Sequence, residues 1–429
     1  VSKKNELIRS VKGMRDLLPP ETARWQRVED AAREVFAAYN FREIRTPVVE
    51  PTALFARSVG EDTDIVMKEM YTFDDRDGES LTLRPEATAS VVRAYIENGL
   101  QNQGRLHKLY YLGPMFRRER PQKGRYRQFF QIGAEVLGSD HPAIDAEVLE
   151  MLGLLLERVG VERFELLVNS VGCAKCRPEY VKALRQALES VKSQLCGDCQ
   201  RRAETNPLRV LDCKVEADQE KIARLPVILD HLCKECRQHF ERVQAELKER
   251  GVAYRLTPRL VRGLDYYTRT TFEITSDVLG AQNALLGGGR YDGLAELIGG
   301  PPTPGLGFAI GLDRLVLAAE QEHAGESAER RGAPDVYIAW MGDAAYSAAS
   351  RLARELRRAR VSTEIDYEPA KLKKALGTAS KLGVRFAVII GEGELQSGRY
   401  QVKDMAAGQQ EEVEAAKVVD FLKGRLVTT

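Results

Sequence analysis

Apolar positions recur at helical spacing through PETARWQRVEDAAREVFAAYN, residues 20 to 40, behind a Pro-Pro-Glu start. That spacing predicts an amphipathic helix, and the following FREIRTPVVEP reads as strand. Farther on, LHKLYYLGPMF (106–116) and FFQIGAEVLG (129–138) are strand-like and flank a charged connection, which predicts a β-hairpin. Period-two alternation sorts its second arm: Phe130, Ile132, Ala134 and Val136 share the core face, and Phe129, Gln131, Gly133 and Glu135 share the other. On the first arm, Tyr111, Gly113, Met115 and Arg117 fall together, so a suitable register brings Arg117 to the face of Gln131 and Glu135. In LVRGLDYYTRTTFEI (260–274), Tyr267, Arg269, Thr271 and Glu273 alternate against Thr268, Thr270, Phe272 and Ile274, giving a second polar strand face.

Between residues 170 and 250 the pattern changes to helices rich in Lys, Arg and Glu, interrupted by all seven cysteines, as expected of an insertion within a larger unit. The stretch AAEQEHAGESAERRGAP (318–334) lacks apolar periodicity and ends at proline, which predicts a linker over 326–333. Beyond it, DVYIAW, STEIDY and RFAVIIGE alternate with helical segments, predicting an α/β domain with parallel strands over 334–429. One of its helices carries Leu352 and Leu356 on one side and Arg351, Arg354 and Arg358 in a basic stripe.

With 429 residues, 43% of them hydrophobic, the chain has ample core for two or three domains. No stretch approaches the roughly 18 apolar residues of a membrane span, and VSKKNELIRSVKG has no apolar signal-type segment, so a cytoplasmic protein is expected. The 64 Lys+Arg face 63 Asp+Glu, so no general basicity explains the run FRRERPQKGRYRQFFQ (116–131), where six cations meet one acid. Such a run is either a solvated surface loop or an anion site. LLGGGRYDGL (285–294) lets a backbone approach a ligand closely or makes a turn. GLGFAIG (305–311) has one residue too many for a dinucleotide fingerprint, and no Walker A motif occurs. The five histidines have no companions at catalytic spacing.

Cys173/Cys176, Cys196/Cys199 and Cys233/Cys236 are C-x-x-C pairs with the spacing of structural zinc ligands. Three pairs plus Cys213 overfill a single tetrahedral site, however. The balance favours reduced, packed thiols, and no metal is assigned to the chain.

Taken together, these stretches resemble the histidyl-tRNA synthetases, which are class II synthetases, over essentially the whole chain. FREIRTPVVEPTALFARSVGEDTDIVMKEMYTF resembles motif 1 and its extension, the cationic run resembles motif 2, and GLGFAIGLDRL resembles motif 3 with Arg314. LTLRPEATASVVRAY resembles the segment that holds the substrate's α-amino group, and LVRGLDYYTRTTFEI resembles a signature of histidyl enzymes. Two departures stand out: Ala87 replaces a glycine in RPEATA and slightly narrows the site, and Phe130 replaces a familiar histidine.

The resemblance implies an α+β catalytic core over 1–325, its antiparallel sheet flanked by helices, with a helical insertion over 170–250 and a C-terminal anticodon-binding domain. It implies a homodimer whose substrates are L-histidine, ATP with Mg2+, and tRNA(His). Arg117 and Arg262 would flank the α-phosphate, Arg262 standing where other class II enzymes place a metal ion, and Arg125 and Arg314 would hold the γ-phosphate. Glu119 would face the adenine amino group or water-mediated magnesium, and Phe129 would stack on the purine or merely pack in the core. Glu86, Thr88 and Gln131 would hold the substrate's ammonium group, with Tyr266 and Arg262 nearby, and Ala87 would also line the histidine site. Glu135 and Tyr267 would supply a carboxylate and a hydroxyl at opposite edges of the imidazole. Arg118, Arg120, Gln122 and Lys123 would meet the acceptor end of the tRNA. A rival reading, a histidine-sensing regulatory relative, predicts loss of the phosphate-binding arginines and of the C-terminal domain, and both are present here.

Overall fold

The computed structural model describes residues 7–60, 63, 65–122, 124–261, 266–280, 283–323 and 333–427. The chain divides into two compact units, Val1–Gly325 and Glu326–Thr429.

The first unit is built on an eight-stranded sheet. Its strands run in the order Arg42–Glu43, His107–Phe116, Gln128–Leu137, Gly305–Gly311, Ala284–Arg290, Thr268–Thr275, Glu165–Ser170 and Arg255–Leu256. The interior pairs are antiparallel, as expected, and the two short edge strands pair parallel, which makes the sheet mixed. The long hairpin His107–Phe116/Gln128–Leu137 matches the alternation seen in the sequence. Ile132, Ala134 and Val136 bury in the main core with Trp25, Phe36, Leu149, Leu152, Phe272 and Phe308. The helices Glu21–Ala38, Pro142–Arg158 and Leu312–Glu322 supply the other side of that core. Tyr111 and Met115 lie on the opposite face, in a second cluster with Tyr266, Tyr267, Tyr291 and residues of the helix Thr88–Glu97.

Three features stand out against the sequence pattern. Within the 170–250 insertion, the helix Lys234–Glu249 buries Phe240, Val243 and Leu247 in the main core. The glycine run, open to a close backbone approach or a turn, forms the interior strand Ala284–Arg290. Arg269 leaves the polar face assigned to it. It has φ 50° beside a register shift between Gly289 and Arg290, and its guanidinium lies 3.8 Å from Asp140 and 3.7 Å from Asp292.

Arg290 and Asp145 are fully buried and joined by bonds of 2.6 to 3.0 Å, with the Arg290 guanidinium also donating to the Ser139 and His141 carbonyls. This pair ties the end of an interior strand to the first turn of Pro142–Arg158.

The second unit holds a five-stranded sheet in the order Thr363–Ile365, Val336–Trp340, Phe386–Ile390, Arg399–Asp404, Gln410–Glu414. The first three strands are parallel, as the pattern predicts, and the last two add an antiparallel hairpin that the polar segments RYQVKD and QEEVE did not reveal. Leu352 and Leu356 of the helix Asp343–Arg358 enter its core, while Arg351, Arg354 and Arg358 are exposed.

Candidate active site

The hairpin register decides which side chains can act together. Leu109 pairs with Glu135, Tyr111 with Gly133, Gly113 with Gln131 and Met115 with Phe129. Directly paired residues project to the same side, so Gln131 and Glu135 share the face of Tyr111 and Met115.

At the loop end of the hairpin, a cavity of about 270 Å³ is lined by Arg117, Glu119, Arg125, Phe129 and Arg314, with Gly287 in its wall. Arg117 is steadied by a 2.9 Å bond from Nε to the Pro85 carbonyl, and its guanidinium carbon lies 5.4 Å from the Phe129 ring centre. Glu119 bridges the cations, 3.9 Å from Arg117 and 3.4 Å from Arg125. Arg314 donates from Nε to the Ala284 carbonyl at 2.9 Å. Burial, and then the neighbouring Arg125, hold the Arg314 guanidinium below its ordinary value, the condition of a cation that gains from an incoming anion. Asp313, which sequence reasoning missed, also lines this cavity and accepts the Phe130 amide at 3.2 Å and Arg15 at 3.3 Å.

Arg262 and Lys123 lie outside the described residues. Arg118, Arg120 and Gln122 are exposed on the loop between the hairpin arms.

Deeper along the same sheet face sits a polar cluster around Glu135, which is fully buried. Its carboxyl accepts the Tyr291 hydroxyl at 2.5 Å, the Thr88 hydroxyl at 2.8 Å and the Tyr111 hydroxyl at 3.5 Å. Burial pushes Glu135 up to about 8, against the pull of these hydrogen bonds, with nearby Glu86 adding to the rise. Space for this cluster comes from two glycines. A Cβ at Gly307 would stand 1.6 Å from the Glu135 carboxyl, and one at Gly133 would stand 2.3 Å from the Tyr111 hydroxyl.

Glu135 is thus met by Tyr291, Tyr111 and Thr88. Tyr267 belongs to the same aromatic cluster, its ring 4.8 Å from Tyr266, which in turn packs edge-on to Tyr291 at 5.7 Å. Tyr111 shares the parity of Gly113 and Met115, and Tyr291 follows the glycine run, but neither position announces a polar contact in the sequence. Glu86 accepts the backbone N–H groups of Thr88 at 2.7 Å and Ala89 at 3.0 Å, so it caps the helix Thr88–Glu97, and burial raises its pKa. Ala87 is buried beside it. Gln131 is 8% exposed, and its Oε1 is buried without a hydrogen-bond donor among the described residues. An orphaned buried acceptor is costly unless a ligand donor completes it.

Comparison with known proteins bears on this geometry. The family model for histidyl-tRNA synthetase matches residues 13–315, and that for an anticodon binding domain matches 335–425. A histidine–tRNA ligase of Solibacter usitatus is 57% identical over 408 residues, covering 95% of this chain and 97% of its own. One of Koribacter versatilis is 55% identical over 428 residues, covering 97% and 96%. The apo histidyl-tRNA synthetase of S. aureus superposes with a TM-score of 0.82 at 40% identity, covering 97% of this chain and all of that one. Through motif order, fold and full-length similarity together, the chain belongs to the histidyl-tRNA synthetase family.

Proposed function

We propose that this chain is a histidine–tRNA ligase: it activates L-histidine with ATP and transfers the histidyl group to the 3′ end of tRNA(His). In the first step a carboxylate oxygen of histidine attacks the α-phosphorus, the bond to the bridging oxygen breaks, and pyrophosphate leaves with that electron pair. In the second step a ribose hydroxyl of the tRNA attacks the acyl carbon and AMP departs. The attacking carboxylate is already ionised at neutral pH, so the protein's task is positioning and charge stabilisation rather than nucleophilic catalysis.

The observation that carries this reading is the convergence of Arg117, Arg125 and Arg314 on one cavity with Phe129 at its side. Arg117 faces the α-phosphate, Arg125 and Arg314 face the γ-phosphate, and Phe129 stacks on the purine. Arg262 completes the α-phosphate clamp. Glu119 is a cavity carboxylate of the type that fits water-mediated Mg2+, which supplies neutralisation of the phosphate oxygens when bound with ATP. Glu135, held by Tyr111 and Tyr291, faces one imidazole nitrogen and Tyr267 closes the other side. Gln131, through its orphaned Oε1, takes the ammonium group together with Glu86, Thr88 and Tyr266, and Ala87 bounds that end. Arg118, Arg120, Gln122 and Lys123 meet the acceptor end of the tRNA, and the Glu326–Thr429 unit meets the anticodon.

The same proposal includes a cytoplasmic homodimer. Val49, Met67 and Phe73, all within the motif 1 segment, are exposed apolar side chains that support a partner there, and light scattering of the purified protein tests it. Among the described residues no helix is long and apolar enough to cross a membrane.

ATP–pyrophosphate exchange measured with each of the amino acids tests the function: exchange is expected with histidine, and its absence refutes the reading. Arg262→Ala is expected to keep the fold and slow exchange by about 10²-fold, as for loss of a preorganised charge-stabilising donor.

A further inference from the structure

The seven cysteines all lie in the helical insertion, and the fold sorts them into two groups. Cys173, Cys176, Cys233 and Cys236 form one; Cys196, Cys199 and Cys213 form the other, joined by Asp218. Within each group the candidate ligand atoms, four sulfurs in one and three sulfurs with a carboxylate oxygen in the other, lie within 4.8 Å of one another. Seven thiols overfill one tetrahedron, which counts against a single zinc site. The structure removes that objection, since seven thiolates and one carboxylate make two tetrahedra with none left over.

We propose that the insertion holds two structural Zn2+ ions, one bound by Cys173, Cys176, Cys233 and Cys236 and the other by Cys196, Cys199, Cys213 and Asp218. With Zn–S of about 2.3 Å, the edge of a ZnS₄ tetrahedron is about 3.8 Å. The sulfurs of Cys173 and Cys176 are 3.7 Å apart, Cys173 and Cys233 are 3.9 Å apart, and Cys196 and Cys213 are 3.9 Å apart. A disulfide requires about 2.05 Å, so these are not bonded pairs. Asp218 Oδ2 lies 3.4 Å from the Cys213 sulfur, close to the about 3.5 Å edge expected between a sulfur and an oxygen ligand.

Supporting contacts match ligand duty. The Cys233 amide donates to the Cys176 sulfur at 3.1 Å and the Val215 amide to the Cys213 sulfur at 3.4 Å, contacts that favour thiolates. Asp218, 2% exposed, accepts the Cys196 amide at 3.0 Å, which fixes its carboxylate beside the sulfurs. Cys176, Cys196 and Cys233 each occupy the first flanking position at a helix N-terminus, where the backbone dipole favours negative charge.

The insertion also needs such staples. Its own core over residues 173–236 is small, and most of the seven cysteines are themselves part of it; a segment of below about 70–80 residues rarely folds on hydrophobic burial alone. The first site joins residues about 60 positions apart and closes the insertion at its base. It also adjoins the substrate pocket. Arg177, next to Cys176, donates to the Tyr267 carbonyl and, at 3.5 Å, to the Val171 carbonyl, so the metal fixes the segment that carries Tyr267.

The test is metal analysis of the full-length enzyme purified without added zinc or chelator, combined with thiol titration. About two zinc ions per chain are expected, with the thiols shielded until a strong chelator is added. Cys236→Ser and Asp218→Ala should each lose about one zinc, and removing metal from the wild-type protein should lower the melting temperature and raise the KM for histidine. Freely titrating thiols in metal-free wild-type protein that melts normally would overturn the proposal. So would iron in place of zinc, or a mass loss that reports disulfides. The wild-type measurement stands even where a variant fails to fold.

Discussion

Glu135 shows how much chemistry one strand position carries. Burial lifts its folded-state value to about 8 from the usual 4.5, so between those limits the folded protein holds a proton that the unfolded chain has released. Its stabilising contribution is therefore full below 4.5 and is lost as pH rises through about 8. Denaturant titrations from pH 5 to 8.5 should show stability falling by up to ~1.4 kcal/mol per pH unit from this group, and Glu135→Gln should flatten that slope. The same variant should raise the KM for histidine at least ~10-fold by placing an amide donor where a carboxyl oxygen accepts. Gly307→Ala makes a complementary prediction, since its methyl would stand 1.6 Å from the Glu135 carboxyl. Stability should fall by ~1–3 kcal/mol and histidine-dependent exchange should weaken, while ATP protection against heat is retained. Glu135 was legible in the sequence because a carboxylate inside an alternating strand has no bland explanation. Its partners Tyr291 and Tyr111 were not, because tyrosine on a strand is ordinary packing until the register brings two strands together.

At the scale of elements, the hairpin and its two faces followed from period two alone, as did the helix Glu21–Ala38. The helix Lys234–Glu249 is rich in charge, yet Phe240, Val243 and Leu247 form one apolar side that reaches the main core. The short edge strands Arg42–Glu43 and Arg255–Leu256 are too brief to carry any period. The buried Arg290–Asp145 pair was also hidden, since its members are 145 positions apart. Asp145→Asn leaves the Arg290 charge without its buried counterion and should cost ~3–5 kcal/mol, read as a lowered midpoint of unfolding. Exchange per folded molecule should change little, because the pair lies on the helix-covered side of the sheet, away from the arginine cavity.

At the scale of the molecule, the two units have separate cores: the main cluster draws only on residues 25–318, and its counterpart only on 336–422. A chain ending at Gly325 should therefore still fold and catalyse histidine-dependent exchange, while aminoacylation of tRNA(His) falls by about 10²-fold or more because anticodon contacts are gone. Near-normal charging by that truncated chain would deny the second unit its assigned partner. The division itself was legible from the unpatterned stretch before Pro334. The fold of the insertion was not, because what organises it is a set of sulfurs whose grouping only three dimensions reveal.

Thr88 has one more consequence. Its amide is bound by Glu86 at 2.7 Å and its hydroxyl binds Glu135 at 2.8 Å, so a single residue spans the carboxylates assigned to opposite ends of the amino acid. On that assignment the two ends of the ligand would be inspected jointly: a molecule that engages only one of them, such as free imidazole, would perturb the grip at the other. Losses from Glu86→Gln and Glu135→Gln should accordingly fail to add, and the size of that shortfall measures how far discrimination is a property of the pair.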